Sequence, residues 1–117
     1  MKNNIRLNIA HNNAKRMEYF LNSVDETLFP QPFEWRSWKL SDRIEDGCRF
    51  MSKENNPVTI TVLFCDSYND GIEIAKANKL TTLPTAKWSL NGNLLYFVES
   101  ADAEKVSEIL SLFAGEE

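Results

Sequence analysis

The residues able to do chemistry are few: two cysteines, Cys48 and Cys65, and a single histidine, His11. The cysteines lie far apart, so there is no Cys-x-x-Cys pair in which one thiolate attacks a disulfide and its neighbour resolves the product. Structural zinc needs four clustered ligands, and one His with two distant Cys falls short of that. No metal and no cofactor are expected. No Gly-rich phosphate loop, nucleophile elbow or paired catalytic carboxylates stand out, and no catalytic residue is nominated. His11 has no acid or nucleophile near it in sequence and reads as a cap or surface histidine. Cys48 shares a stripe with Ile44 and Met51 and reads as packing, while Cys65 ends an apolar strand. Trp35 and Trp38 point to opposite sides if their segment is extended, which buries one and leaves the other available as an anchor. Trp88 reads as core or helix-covered.

The bulk of the chain limits what these residues serve. A length of 117 residues fits one domain, 1–117. With 13 Lys and Arg against 17 Asp and Glu, the net charge is -4, which disfavours nucleic acid as a partner. No apolar run is long enough for a bilayer, so no membrane partner is expected. Met1 to Ala10 has no apolar stretch of the secretory kind, and a cytoplasmic location with reduced thiols is expected.

The elements that must position the side chains follow from periodicity. Ile5 to Ala10 alternates as a strand. Asn12 or Asn13 caps a helix carrying Ala14, Met17, Phe20, Leu21 and Val24. Pro30 and Pro32 end that region. Phe33 to Trp38 alternates as a second strand. Asp42 and Glu45 have capping-box spacing before a short helix with Ile44, Cys48 and Met51. Val58 to Cys65 is the strongest strand, β-branched and apolar on both faces. Ser67 or Asp70 caps the next helix, followed by strands over 85–90 and 93–99 around an Asn91-Gly92 type I′ turn. Ser100 caps a last helix with Val106, Ile109, Leu110 and Phe113 on one face, stopping near Gly115. The acidic end, Glu116 and Glu117, reads as solvated. The predicted order is β-α-β-α-β-α-β-β-α, an α/β mixed central sheet with helices on both faces.

Several segments of the C-terminal half resemble the thioredoxin-like superfamily. VTITVLFCD is similar to its strand ending in an acidic residue, IAKANKL to the following helix, and TTLPT to its segment bearing a cis-proline. WSLNGNL is similar to its strand, Asn-Gly turn and strand. The resemblance implies a cis peptide before Pro84, beside a groove that presents backbone groups to an extended partner chain. Thioredoxins carry Cys-x-x-Cys after the central strand. Taking Phe33 to Trp38 as that strand places Trp38-Lys39-Leu40-Ser41 at the motif, and this register keeps the length normal. Taking Ile5 to Ala10 places His11-Asn12-Asn13-Ala14 there and leaves an insertion near residues 26–56. Neither register supplies a cysteine.

The expected function is that of a redox-inactive thioredoxin-like protein, working by protein–protein binding or as a small assembly or regulatory factor. Its expected partner-binding residues are Trp38, Thr82, Leu83 and Pro84, and its partner is another protein. The alternative is an enzyme: a thiol-dependent reductase or a glutathione-transferase-like protein using Cys48 or a hydroxyl. A proline before a strand hairpin and the pair Glu99-Ser100 are faintly similar to the glutathione-type domain.

Overall fold

The computed structural model describes residues 17, 18, 21, 22, 27–53 and 55–114. Met17, Glu18, Leu21 and Asn22 are helical, with Met17 and Leu21 fully buried, in keeping with the apolar stripe read there. The expected strand over Ile5 to Ala10, His11, Asn12, Asn13 and the end from Gly115 lie outside the described residues.

Six strands form one sheet among the described residues: β1 (Leu28–Gln31), β2 (Ile44–Ser52), β3 (Thr59–Cys65), β4 (Thr82–Leu83), β5 (Ala86–Asn91) and β6 (Leu94–Glu99). Their order is β1-β2-β3-β6-β5-β4, and every pairing is antiparallel. Helix α1 (Tyr68–Ala77) lies between β3 and β4, and α2 (Ala103–Phe113) follows β6.

This arrangement overturns the expected thioredoxin-like β-α-β-α layout. A parallel β-α-β unit needs a crossover that returns the chain in the same direction. Here β1 and β2 run antiparallel, and the β3-to-β6 connection through α1, β4 and β5 also returns the chain antiparallel. The expected cis-proline is corrected as well, since no described peptide bond is cis and Leu83-Pro84 is trans. Pro84 and Thr85 instead form the two-residue turn between β4 and β5, closed by the Leu83–Ala86 pair. Proline at the first of these two positions supplies the fixed φ that a tight turn uses.

Two local assignments in the N-terminal half also change. Phe33 to Trp38 is not a strand: Trp35–Ser37 is one turn of 3-10 helix, with the Glu34 side chain accepting from the Arg36 amide. The expected helix over Ile44, Cys48 and Met51 is β2. Cys48 and Met51, three apart, share a face in a helix and lie on opposite faces of a strand; the competing two-residue period puts Cys48, Phe50 and Ser52 on one face, and pairing with β3 selects it. Gly47 has a packing reason: a Cβ there would sit 2.8 Å from a Leu63 methyl and 3.0 Å from the Trp35 Cβ.

The C-terminal hairpin and caps differ in detail. Asn91 pairs with Leu94, so Gly92 and Asn93 make the turn, and Gly92 has a φ of 60° while Asn93 is not left-handed. One positive φ, at the first central position, is the type II′ pattern rather than the expected type I′. Ser67 caps α1 by accepting from the Asp70 amide, as expected. Asp102 rather than Ser100 caps α2, and Ser100 accepts the Asp102 amide.

Directly paired residues share a face, so the register divides the core into two clusters. The first face carries Phe50, Ile60, Val62, Phe64, Leu94, Tyr96 and Val98, covered by Met17, Leu21 and the Val106 and Phe113 side of α2. Tyr96 stacks on Phe113 with centroids 4.7 Å apart. The second face carries Ile44, Leu63, Cys65 and Leu95 against Ile74 and Ala75 of α1, with Phe33, Trp35, Trp38, Leu40, Leu80, Trp88 and Leu90 packed around them.

Candidate functional site

The segment from Phe33 to Arg43 is a strap across part of the second face. It is made of two 3-10 turns, Trp35–Ser37 and Ser41–Arg43, joined through Leu40 in the left-handed region at φ 63°. Side chains from α1 and its C-cap residue hold it down. Asn78 accepts the Lys39 amide at 3.0 Å and donates to the Lys39 carbonyl at 3.1 Å. Arg43 donates to Glu73 at 2.6 Å and lies 3.4 Å from Asp70. The Asp66 amide donates to the Arg43 carbonyl at 2.9 Å. Trp38 is half-buried within this strap, edge-on to Phe33 at 5.8 Å.

Beyond the strap, two rows of side chains cross the second face. The pairings place Gln31, Arg49, Thr61, Phe97 and Trp88 in one row over five strands. The next row is Phe29, Met51, Thr59, Glu99, Ala86 and Leu83, over all six. Phe29, Met51, Phe97, Ala86 and Leu83 belong to neither core cluster. Phe29 is 41 % exposed and Leu83 is 56 % exposed, so two of the three large exposed hydrophobics among the described residues end the same row. The Lys53 ammonium lies 4.5 Å over the Phe29 ring.

Arg49 is the charged group set into this surface. Its Nε donates to the Thr61 hydroxyl at 2.9 Å, and its guanidinium carbon lies 4.5 Å over the Phe33 ring. Ring and hydroxyl hold the side chain from two directions. No described carboxylate forms an ion pair with it, and a guanidinium carries further N–H donors beyond the one given to Thr61. Glu99, in the neighbouring row two strands away, is half-buried on the same face.

The expected site residues are distributed unevenly over this geometry. Leu83 ends the open row. Thr82 pairs with Lys87, whose side chain belongs to the other face, and is exposed. Pro84 is exposed at the turn, and Trp38 is in the strap rather than on the rows. Phe29, Met51, Arg49 and Phe97 were missed by sequence reasoning. The alternation of Cys48, Phe50 and Ser52 against Arg49 and Met51 was the available signal, obscured by reading 44–51 as helical.

Neither cysteine is poised for thiolate chemistry. Burial, followed by Asp46 and Glu18, pushes the Cys48 thiol up to about 12. Burial, followed by Asp70, Asp66 and Glu45, does the same for Cys65. Both thiols are free. Among the described residues no group of three or more His, Cys, Asp or Glu is placed to hold a metal, and no helix is long and apolar enough to cross a membrane.

Comparison with known proteins returns no match among family models, curated proteins or solved structures. The functional reading therefore rests on this chain's own surface.

Proposed function

We propose that this chain is a protein-binding module that docks a partner on the open half of its second sheet face. The observation that carries the reading is the row running from Phe29 to Leu83: its two ends are large exposed apolar side chains on a surface that no core cluster claims. Phe29 adjoins Met51 at one end of the row and Leu83 adjoins Ala86 at the other, with Thr59 and Glu99 between, and exposed apolar surface beside polar groups marks interaction sites. Arg49 sets the chemistry of the occupant. A half-buried guanidinium with no described carboxylate beside it is matched by a carboxylate, which it can bind bidentately. The partner surface is therefore apolar around an Asp or Glu, and Glu99 on the same face penalises a second acidic group there. Leu83 remains a binding residue in this reading, and Phe29, Met51 and Arg49 join it. The neutral thiols support binding over thiol-dependent catalysis, and two free cysteines suit a reducing cytoplasmic setting.

The test is differential capture by the full chain. Wild-type protein is expected to retain a partner that Phe29→Ser with Leu83→Ser loses, and that Arg49→Glu also loses, at unchanged thermal midpoints. Equal capture by all three folded proteins would remove the open face as the binding site.

A further inference from the structure

The occupant that the open face calls for, an apolar surface around one carboxylate, is matched by the open face itself. Arg49 on β2 and Glu99 on β6 flank β3, where Thr61 and Thr59 are their paired neighbours. Both are half-buried, and among the described residues neither forms an ion pair. One surface thus carries opposite charges two strands apart. Phe29 and Met51 lie towards its β1 side, and Phe97, Ala86 and Leu83 towards its β4 side.

Shape limits how a second copy can be laid on this surface. The next row towards the strap is Gly47, Leu63, Leu95 and Leu90. Trp35 of the strap sits against Gly47, and Gly71 of α1 against Leu90, so the covering layer begins at that row. The open rows lie at the opposite end, where β3 begins at Thr59 and β6 ends at Glu99. The face is therefore a step. Two copies related by an axis along the strands would set strap on strap and α1 on α1. Turned end for end, about a two-fold axis along the rows, each copy lays its open rows on the other's and carries its strap and α1 past the other's open end. The same turn exchanges the two rows. Each Arg49 then comes level with Glu99 of the other copy, two strands or about 10 Å across the sheet. The bond to Thr61 draws the Arg49 side chain towards β3, the direction of that carboxylate.

We infer that the open face takes a second copy of this chain, in a two-fold pair that joins Arg49 of each copy to Glu99 of the other. This rests on the open-face reading and names its occupant. A two-fold interface repeats every contact, so one complementary pair of charges supplies two ion pairs. Two rows make a small interface, so the pair forms in a concentration-dependent equilibrium rather than as a permanent dimer.

The test is sedimentation velocity of the full chain from about 10 μM to about 1 mM. The average mass of the wild type is expected to rise with concentration towards twice that of the chain. Phe29→Ser with Leu83→Ser, Arg49→Glu, and Glu99→Arg are each expected to weaken association by about tenfold or more. Mixed in equal amounts, the Arg49→Glu and Glu99→Arg proteins should associate with each other although neither does so alone, because every exchanged contact then joins opposite charges. A wild-type chain that stays monomeric throughout would overturn the second copy, while differential capture would still decide the open-face reading separately. Association that survives Phe29→Ser with Leu83→Ser would place the interface elsewhere and overturn the inference. A mixture of the two folded charge variants that stays monomeric would do the same. Should Arg49→Glu fail to fold, Glu99→Arg removes no described ion pair or side-chain hydrogen bond, and its undiminished self-association would overturn the pairing.

Discussion

The two faces of one sheet are finished differently. The first face is closed by α2 and by Met17 and Leu21, and its central side chains Phe50, Val62, Tyr96 and Val98 are almost wholly buried. Among the described residues the second is covered by α1 and the strap, and beyond them Phe29, Met51, Phe97 and Leu83 belong to neither core cluster. Both faces carry apolar residues at a two-residue period, so the difference comes from what packs over them. A sheet face left partly uncovered retains the apolar surface that a partner can bury, while a closed face contributes stability.

That contrast predicts the largest loss on the closed side. Phe50→Ala removes a fully buried ring from the first cluster and is expected to cost about 3–5 kcal/mol, read from the denaturant midpoint. A cost under about 1 kcal/mol would show that this face is less tightly closed than its burial indicates.

The thiols probe both clusters at once. Each has a folded pKa of about 12, above its ordinary value of 9.0. The folded state therefore holds its thiol protons to higher pH than the unfolded chain does. Their stabilising effect is complete below about pH 9 and is lost as pH rises towards about 12. Stability measured against pH should fall through that window less steeply in Cys48→Ala with Cys65→Ala than in wild type. At neutral pH a thiol reagent should modify the unfolded chain much faster than the folded one. Prompt labelling of Cys65 in folded protein would contradict its complete burial.

The covered half of the second face is more delicate. Gly47→Ala places a methyl against Leu63 and Trp35, and is expected to cost about 1–3 kcal/mol by overpacking. The strap should lift locally, giving a red shift in tryptophan emission before global unfolding. An unchanged melt and unchanged emission would show that the strap is not seated on Gly47. The open rows should respond least. Phe29→Ser and Leu83→Ser are each expected to change stability by no more than about 0.5 kcal/mol while removing partner capture. A large drop in the melting temperature for either would place that residue in the core.

The C-terminal half was the more legible because its signals are local. Val58 to Cys65 is β-branched and nearly uncharged and becomes β3, the strand between β2 and β6. Ser67 caps α1 through its own hydroxyl, and glycine at the first turn position makes the β5–β6 hairpin possible. The segment from Phe33 to Met51 was misread because its spacing fits two periods. Glu34, Arg36 and Ser37 satisfy one another's backbone groups in a 3-10 turn, which alternating hydrophobicity does not reveal. Strand direction was misread because strands joined through a helix can pair parallel or antiparallel, and the TTLPT and WSLNGNL segments fit either.

Residue types and their spacing by themselves determined where β3, β5, β6 and the two C-terminal helices form, that no dithiol pair is present, and that the chain is mildly acidic. Those properties arise within a few residues or from simple composition. Only the tertiary structure decided that β2 is a strand, that all pairings are antiparallel, and that Phe29 and Leu83, distant in sequence, end one row. The physical reason is that cross-strand register joins residues by hydrogen bonds between remote backbone segments. Whether an apolar side chain is core or available to a partner then depends on which other element packs over it.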